Sequence, residues 1–431
     1  MIWDQKMECA SRPEMKKLQS ERLKKLVHYL WKGNAVYRRR FEHFNVKPSE
    51  IGDISDIRKL PVTVKEDLRD NYPFGLFTDY RHTTEIHVSS GTTGNPTVVG
   101  YTREDLKLWA QVMARSLALA GAVPGDMIQV AYGYGLFTGG LGAHYGALEM
   151  GLKVIPASSG QTKRQLKLMT DFRPRILACT PSYALFMLDE ARALGIDPKA
   201  SSWEIGIFGA EPWSESMRAQ IEASWDMTAT DIYGLSEIIG PGVAQECQHK
   251  AGLHFQWDVF YPEVLDPKTG ENVKDGERGE LVITTLTKRG IPLLRYRTRD
   301  IVTIEYSKCK CGRTTPRISK ILGRTDDMLI IRGINVFPSQ IEYVLLKIEG
   351  TQPHYLLVVD RQNNLDTLEV WVEVEEKMFS DEIKQMRALE ETIKREIESV
   401  LGLDVKVKLV EPKSIERSEG KAKRVIDKRK I

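Results

Sequence analysis

The sequence predicts an α/β fold. A large amino-terminal domain has mixed, mainly parallel doubly wound sheets and a small β-barrel-like part, and a small α+β domain follows it. Three observations predict this: apolar strands alternate with helical patterns up to about residue 208, closely spaced strand-like segments follow residue 259, and the last hundred residues form a separate pattern. Alternating short strands and helices favour right-handed crossovers and a parallel sheet covered on both faces. We place the domain boundary between residues 325 and 326.

Length and composition describe a globular protein with more than one domain. The chain has 431 residues, of which 42% are apolar and 28% charged, and it is too long for one ordinary core. Its net charge is only +3, so we expect neither nucleic acid nor a membrane as the main partner. The first residues lack the apolar region of a signal peptide, no run reaches the length of a membrane span, and the five cysteines are scattered. We therefore expect a cytoplasmic protein.

Periodicity places the elements of the large domain. Leucines spaced by three or four residues predict one helix over residues 14–44, and Thr63, with Glu66 three residues later, is placed as the N-cap of another helix. Helical periodicity returns over residues 103–120. The expected buried strands are 127–131, 153–155, 175–178 and 204–208.

Residues beyond 259 predict two further arrangements. Segments 279–286 and 300–304 follow each other without a helix between them, which is typical of an antiparallel sheet or small barrel. The carboxy-terminal module is predicted to contain helices at 339–348 and 380–401 and strands at 354–359, 368–374 and 405–409. About one hundred residues are enough for this module to have its own core.

The stretch 89–97 is predicted to bind an anion. It reads Ser-Ser-Gly-Thr-Thr-Gly-Asn-Pro-Thr, and its first six residues are Ser89, Ser90, Gly91, Thr92, Thr93 and Gly94. Glycines let backbone N–H groups turn toward a phosphate, and the hydroxyls add further donors. A polar turn between two strands is the alternative for such a run taken alone.

Further motifs follow this loop in a fixed order, at 209–212, 231–237, 296–300, 323–333 and 420–421. The order resembles that of the adenylate-forming superfamily, which comprises acyl-CoA synthetases, luciferases and peptide-synthetase adenylation domains. Segments 60–65, 132–140, 284–288 and 334–339 are similar to signatures of the phenylacetate-CoA ligases within it. The resemblance spans about residues 60–427. It implies ligation of an aryl acid to coenzyme A with ATP and Mg²⁺, through an acyl adenylate.

The resemblance also implies a nucleotide site. The loop from Ser89 would bind the β- and γ-phosphates of ATP, although Asn95 stands where the family usually has lysine. Tyr233 would stack on adenine, Asp300 would accept the ribose hydroxyls and Glu237 would bind Mg²⁺. The remaining residues assigned to the nucleotide and coenzyme A are Gly209, Ala210, Glu211, Asp231, Gly234, Ser236, Arg324, Arg332 and Gly333.

Two assignments concern the small domain. The family's catalytic lysine corresponds to Lys421, which would neutralise charge on the α-phosphate as the carboxylate attacks. Taken alone, this segment is a charged tail. Asp326 falls at the family's hinge, about which the small domain would rotate between adenylation and thioester formation, and Arg332 and Gly333 would then line the pantetheine tunnel.

An acyl pocket is expected from aromatic and small residues. The candidates are Tyr132, Tyr134, Phe137, Gly139, Gly140 and Ala210. Aromatic walls above a glycine floor suit a flat aryl ring. The glycines can equally serve close helix packing. His144 is interpreted as a core or loop histidine without a role in catalysis.

The cysteines suggest a separate structural metal site. Cys309 and Cys311 form a tight pair, and Cys247 and His254 lie upstream. Three thiolates and one imidazole make a closed tetrahedral Zn²⁺ site. His249 is the alternative fourth ligand, and free cysteines beside an unrelated histidine remain an alternative to zinc.

The resulting hypothesis is an ATP-dependent aryl-acid–CoA ligase, with phenylacetate as the first substrate to test. Another aryl acid such as indoleacetate or benzoate is an alternative, because one methylene changes binding in an apolar pocket by only about 1–3 kcal/mol. An adenylyltransferase that stops at AMP transfer, and a non-catalytic zinc-stabilised nucleotide-binding module, are further alternatives. A homodimer is expected from the resemblance alone.

Overall fold

The computed structural model describes residues 1–89, 95–324, 329–332, 334–348, 350–362, 365–374, 383–416 and 424–429. The chain forms two compact units. The first contains Met1–Cys179, Ser201–Ala210 and Met227–Lys320, and the second contains Thr180–Ala200, Glu211–Asp226 and Ile321–Ile431. The domain boundary placed at 325/326 falls outside the described residues and stays a prediction.

A nine-stranded sheet organises the first unit. Its parallel part consists, in spatial order, of Lys153–Ile155, Met127–Val130, Ile176–Cys179, Ile205–Gly209 and Thr228–Leu235. Antiparallel strands continue it: Gly240–Glu246, Leu253–Phe255, Arg317–Ile318 and Ile304–Glu305. The central strands are apolar and buried along their whole length, as expected for strands covered on both faces. The predicted α/β fold is confirmed.

Two further β elements belong to the first unit. Thr83–Val88 and Val98–Thr102 pair as an antiparallel hairpin, and residues 89–97 connect them in the sequence. An antiparallel meander is formed by Phe260–Leu265, Gly279–Thr285 and Tyr296–Val302. It confirms the antiparallel strands predicted beyond residue 259. The helices of this unit are Gln5–Glu8, Arg12–Gly33, Ala35–His43, Lys65–Asp70, Arg103–Ala120, Thr138–Met150 and Thr162–Phe172. Short 3₁₀ turns cover Pro48–Glu50, Ile54–Lys59 and Tyr80–His82.

The predicted single helix over residues 14–44 is wrong, because the helix breaks at Asn34. This residue has an extended backbone, and its side-chain oxygen accepts hydrogen bonds from the N–H groups of Val36 and Tyr37. Asparagine competes for backbone donors in this way and therefore favours helix starts. The leucines on which the prediction rested end at Leu30, before the break, so their spacing gave no sign of it.

The capping role predicted for Thr63 is also wrong. The helix begins at Lys65 after Val64, whose N–H donates to Asp67 Oδ2 at 2.8 Å. The Thr63 hydroxyl is fully buried and donates to the carbonyl of Leu294 at 2.7 Å. A distant backbone carbonyl therefore accepts the hydrogen bond of the hydroxyl that the local pattern assigned to the cap.

The second unit contains the predicted α+β module. Its sheet has the order Lys406–Val410, Leu365–Val374, Thr351–Gln362 and Val425–Asp427, with the central pair antiparallel and the outer pairs parallel. The helices Pro338–Leu345 and Ile383–Leu401 supply apolar residues to one core with this sheet. The remaining elements are the hairpin Leu329–Ile331 with Ile334–Val336, the short strand Gly323–Arg324, the helices Pro181–Ala193 and Glu215–Trp225, and the 3₁₀ turn Pro198–Ala200.

A search of the described helices found none that is both long and apolar enough to cross a membrane.

Candidate active site and metal centre

Several predicted site residues follow parallel strands of the nine-stranded sheet at their carboxyl ends. Tyr132 comes after Met127–Val130, Ala210 follows Ile205–Gly209, and Ser236 follows Thr228–Leu235. The Tyr132 hydroxyl donates to the carbonyl of Ile207 at 3.3 Å, which ties two of these strand ends together. Ligands of open α/β sheets bind beyond this edge.

Tyr233 and Asp300 are brought into direct contact. The Tyr233 hydroxyl donates to Asp300 Oδ2 at 2.6 Å, and the two residues are 8% and 3% exposed. Asp300 lies on the meander strand Tyr296–Val302, and its N–H donates to the hydroxyl of Thr298. Two residues that are 67 positions apart in the sequence therefore form one short, buried polar contact.

Glu237 lies in the turn after Tyr233, and lysine residues reach it from two other segments. Its carboxylate is nearly buried and lies 3.5 Å from the ammonium group of Lys65. The preceding residue, Ser236, shares a 3.1 Å hydrogen bond with the hydroxyl of Thr138. The turn is thus held beside the start of the helix Thr138–Met150.

The second lysine is Lys288, which is 1% exposed. Its ammonium group donates to the carbonyls of Glu237 at 3.3 Å and Ile238 at 2.8 Å, and it lies 4.8 Å from the centre of the Tyr101 ring. Burial lowers the pKa of Lys288 to about 8, although Asp105 and Glu237 act in the opposite direction. Sequence reasoning gave no role to Lys65 or Lys288, although each ends a quoted family signature.

The neck of the Ser/Thr/Gly loop is closed by hydrogen bonds. The N–H of Ser89 donates to the carbonyl of Thr97 at 2.9 Å, and the Thr97 N–H donates to Ser89 Oγ at 3.2 Å. Asn95, which stands in place of the family's lysine, is exposed. Residues Ser90, Gly91, Thr92, Thr93 and Gly94 lie outside the described part of the chain.

The aryl-pocket candidates have different surroundings. The Tyr134 hydroxyl lies 3.2 Å from His144 Nδ1, which accounts for His144 as a satisfied, half-buried histidine. Burial raises the pKa of Tyr134 and lowers that of His144. Phe137 is 53% exposed at the start of the helix Thr138–Met150.

The two glycines of the same segment differ in the space around them. A Cβ on Gly140 would lie 2.6 Å from the carbonyl oxygen of Gly133, so close backbone approach requires glycine. A Cβ on Gly139 would lie 3.6 Å from Tyr132 Cβ, an ordinary contact. Close packing therefore explains why residue 140 is glycine, but it does not explain the glycine at residue 139.

In segment 209–211, the backbone of Gly209 packs closely against a neighbouring strand, and the backbone of Ala210 is strained. A Cβ on Gly209 would lie 2.2 Å from the carbonyl oxygen of Ile232. Ala210 adopts φ = 69°, a left-handed backbone that costs a non-glycine residue about 1–2 kcal/mol. The Glu211 carboxylate accepts a hydrogen bond from Ser182 N–H at 2.8 Å, within the second unit.

The other predicted site residues are more dispersed. The Asp231 N–H donates to Glu246 Oε2 at 2.9 Å, and Gly234 has no room for a Cβ beside the carbonyl of Gly240. Arg324 is half-buried in a short strand. Arg332 is exposed with φ = 51°, and its Nε donates to the carbonyl of Asp366 at 2.8 Å. Asp326, Gly333 and Lys421 lie outside the described residues.

Four predicted metal ligands converge at the antiparallel end of the nine-stranded sheet. The ligand atoms of Cys247, His254, Cys309 and Cys311 all lie within 4.8 Å of one another. The Cys247 and Cys309 sulfurs are 3.8 Å apart, and Cys311 Sγ is 3.5 Å from His254 Nε2. Zn–S and Zn–N bonds of about 2.3 and 2.0–2.1 Å at tetrahedral angles give separations of about 3.8 and 3.5 Å. These two separations match those of a tetrahedral zinc site.

Surrounding groups orient this cluster. His254 Nδ1 lies 2.8 Å from Thr315 Oγ1, so the outer nitrogen can donate a proton there while Nε2 faces the sulfurs. A hydrogen bond between the Cys247 and Cys311 thiols lowers the pKa of Cys311 and raises that of Cys247. Within the described residues, the cluster includes His254 and not His249, the alternative ligand.

The amino-terminal segment is clamped beside this cluster by buried ion pairs. Glu8 pairs with Arg313, two residues after Cys311, and both residues are almost fully buried. Arg115 pairs with Asp4 at 2.6 Å and with Asp258 at 2.8 Å. Sequence reasoning missed this network, because its members lie far apart in the chain.

Comparisons with known proteins agree with the sequence motifs. The sequence model of the AMP-binding enzyme family matches residues 78–287, and that of the AMP-binding enzyme C-terminal domain matches residues 333–429. A phenylacetate-coenzyme A ligase of Thermus thermophilus is 49% identical over all of both chains. The phenylacetate-coenzyme A ligase of Escherichia coli is 49% identical over 99% of this chain and 97% of its own. A crystal structure of 2-hydroxyisobutyryl-CoA ligase with R3-HIB-AMP matches with a TM-score of 0.93 at 29% identity, covering 99% of this chain and 92% of that chain.

Proposed function

Because the chain belongs to the phenylacetate-coenzyme A ligase family of AMP-binding enzymes, we propose that it ligates phenylacetate to coenzyme A in an ATP-dependent, AMP-forming reaction. The observation that carries the proposal is 49% identity to such ligases along the whole length of the chain. The geometry of Tyr233, Asp300 and Glu237 at the carboxyl edge of the sheet supports it.

We infer the nucleotide contacts from the family resemblance, and this geometry supports them. Tyr233 offers a ring face for adenine, and its hydroxyl fixes Asp300, whose carboxylate accepts the ribose hydroxyls. Base stacking on an aromatic ring contributes about 1–3 kcal/mol. The hairpin loop beginning at Ser89 supplies backbone and hydroxyl donors to the phosphates. By the family resemblance, Arg324 would add positive charge to the ribose-phosphate region.

Glu237 has the donor chemistry for Mg²⁺. A hard cation that bridges phosphates usually takes one or two carboxylates from the protein, and Glu237 offers one at the sheet edge beside Lys65. When bound, Mg²⁺ neutralises phosphate charge during transfer. The chain's contribution is to hold the carboxylate in place through the turn at Ser236 and to balance its charge with Lys65.

The reaction has two steps. A carboxylate oxygen of the acid bonds to the α-phosphorus of ATP as the bond to pyrophosphate breaks, and Lys421 neutralises the charge that develops there. The thiolate of coenzyme A then bonds to the acyl carbon, and the bond from that carbon to AMP breaks. Between the two steps, residues 326–431 would rotate about Asp326. Lys421 would leave the active site, and the segment around Arg332 and Gly333 would take its place.

The acid would bind beside Tyr132, Tyr134 and Gly139, with Ala210 and Phe137 as further pocket residues. This set is apolar and aromatic, which suits a phenyl ring. The strained backbone of Ala210 is consistent with a residue held in place for binding.

We also propose that Cys247, His254, Cys309 and Cys311 bind one structural Zn²⁺. Four protein ligands leave no open position for catalysis, so the ion would stabilise the edge of the sheet. The homodimer and the cytoplasmic location remain predictions from the sequence. Size-exclusion chromatography with light scattering tests the dimer.

Pyrophosphate release with ATP, Mg²⁺ and a panel of aryl acids, with and without coenzyme A, tests the function. Turnover that requires coenzyme A and peaks with phenylacetate supports the proposal. A peak with benzoate or indoleacetate identifies another aryl-acid ligase. Acid-dependent release that is indifferent to coenzyme A would favour an adenylyltransferase, and no release with any acid would favour a non-catalytic nucleotide-binding module.

A further inference from the structure

Lys288 is a fully buried lysine for which the described residues supply carbonyls and an aromatic ring, rather than a contacting carboxylate, as partners. Burying an ammonium group is costly unless hydrogen bonds and charge compensate it. The three donors of this group match two carbonyl oxygens and the face of Tyr101. The arrangement is therefore specific to a lysine-like cation at this position.

The backbone next to Lys288 is fixed independently of its side chain. The carboxylate of Asp105, itself 1% exposed, accepts hydrogen bonds from the N–H groups of Arg289 at 2.7 Å and Gly290 at 2.8 Å. A Cβ on Gly290 would lie 2.7 Å from the carbonyl oxygen of Gly100, so this backbone is also tightly packed. One end of the Lys288 side chain is thus anchored to the helix Arg103–Ala120.

The other end of the side chain reaches the turn that carries Glu237. Both carbonyls that accept from Lys288 belong to this turn, at Glu237 and Ile238. The Glu237 side chain itself contacts Lys65. Lys288 therefore acts on the backbone of Glu237, and Lys65 acts on its carboxylate.

We propose that Lys288 is a positioning residue that fixes the backbone of Glu237 so that its carboxylate binds the Mg²⁺ of MgATP. This inference rests on the proposed role of Glu237. It predicts that removing the ammonium group weakens the contribution of Mg²⁺ to ATP binding more than it weakens binding of ATP itself.

Calorimetric titration of the full-length protein with ATP, in Mg²⁺ and in EDTA, without acid or coenzyme A, tests the proposal. For Lys288→Met we expect the Mg²⁺-dependent gain in affinity to fall about tenfold, while affinity in EDTA changes less than about twofold. Lys288→Gln keeps one amide donor group and should give an intermediate loss, and it serves as the test if the methionine variant does not fold.

Leu286→Ala is the matched control, because Leu286 is buried in the same segment but its side chain has no hydrogen-bond donor for either carbonyl. It should lower the melting temperature and leave the Mg²⁺-dependent gain unchanged. An unchanged gain in both Lys288 variants, an equal loss in Leu286→Ala, or no Mg²⁺-dependent gain in the unmodified protein would overturn the proposal. Failure of the ligation chemistry alone would appear only in turnover assays and leave this test unaffected.

Discussion

The Tyr233 hydroxyl donates a 2.6 Å hydrogen bond to the carboxylate of Asp300. It joins a strand of the nine-stranded sheet to a strand of the antiparallel meander. Because both residues are nearly buried, the bond fixes the ring and the carboxylate relative to each other. The two groups proposed for adenine and ribose are thus arranged as one unit.

Tyr233→Phe tests this unit. The ring face is kept, but Asp300 loses a short hydrogen bond, and bonds to charged groups contribute about 1.5–3 kcal/mol. We expect KM for ATP to rise about tenfold or more, with KM for the acid little changed. Tyr37→Phe is the control, because Tyr37 is also fully buried and its hydroxyl donates to the backbone carbonyl of Pro292 rather than to a predicted site residue. Equal ATP kinetics in both variants would contradict the assignment.

Lys421→Ala should separate the two half-reactions. Loss of a cation that stabilises developing charge should lower acyl-adenylate formation by about 10²–10³-fold. Thioester formation from supplied acyl-AMP should be largely spared, since that step does not displace pyrophosphate. Lys423→Ala is a control two residues away that should leave both steps intact. Equal loss of both steps in Lys421→Ala would argue against this role.

Metal analysis and chelation test the zinc site. Protein purified without chelator should contain near one zinc per chain, and Cys309→Ser should lose it together with thermal stability. Because the thiols must release protons to bind the metal, zinc should be released as the pH falls. Cys9→Ser is the control, because Cys9 is outside the four-residue cluster. A stable, metal-free protein would disprove the site.

Gly139→Ala and Gly140→Ala should behave differently although they are neighbours. The added methyl group at Gly140 meets the carbonyl of Gly133, so we expect a loss of about 1–3 kcal/mol in the free energy of unfolding. Gly139→Ala should be stable and should shift preference from phenylacetate toward a smaller acid such as benzoate. Unchanged acid selectivity in Gly139→Ala would show that Gly139 does not line the pocket.

The parallel sheet could be predicted from sequence because its strands are buried on both faces and read as continuous apolar runs. The break at Asn34 has a local signal in the capping preference of asparagine, which apolar periodicity alone does not show. The burial of Thr63 could not be predicted, because it depends on a partner far away in the sequence. The Thr63 hydroxyl donates to Leu294, which is 231 residues away. Local capping patterns fail where such a distant acceptor competes.

The residues of the candidate site could be predicted mainly because the family's motifs occur in a fixed order along the chain. Tyr233, Glu237 and Asp300 are predicted from the resemblance, but the contact of Tyr233 with Asp300 and those of Glu237 with lysines depend on the fold. Lys288 reads as part of an ordinary charged loop, since its complete burial arises from packing beneath Glu237. Similarly, cysteine spacing suggested zinc, whereas the choice of His254 over His249 required the strand Leu253–Phe255.

The central claim is that the acid is activated as an acyl adenylate before coenzyme A attacks. Phenylacetate labelled with ¹⁸O in both carboxylate oxygens tests it most directly, with the products analysed by mass spectrometry. The account predicts phenylacetyl-CoA together with AMP that carries one ¹⁸O, since a carboxylate oxygen bonds to the α-phosphorus and leaves with AMP. Thioester formation with unlabelled AMP, or with the label in inorganic phosphate and ADP as the nucleotide product, would contradict it.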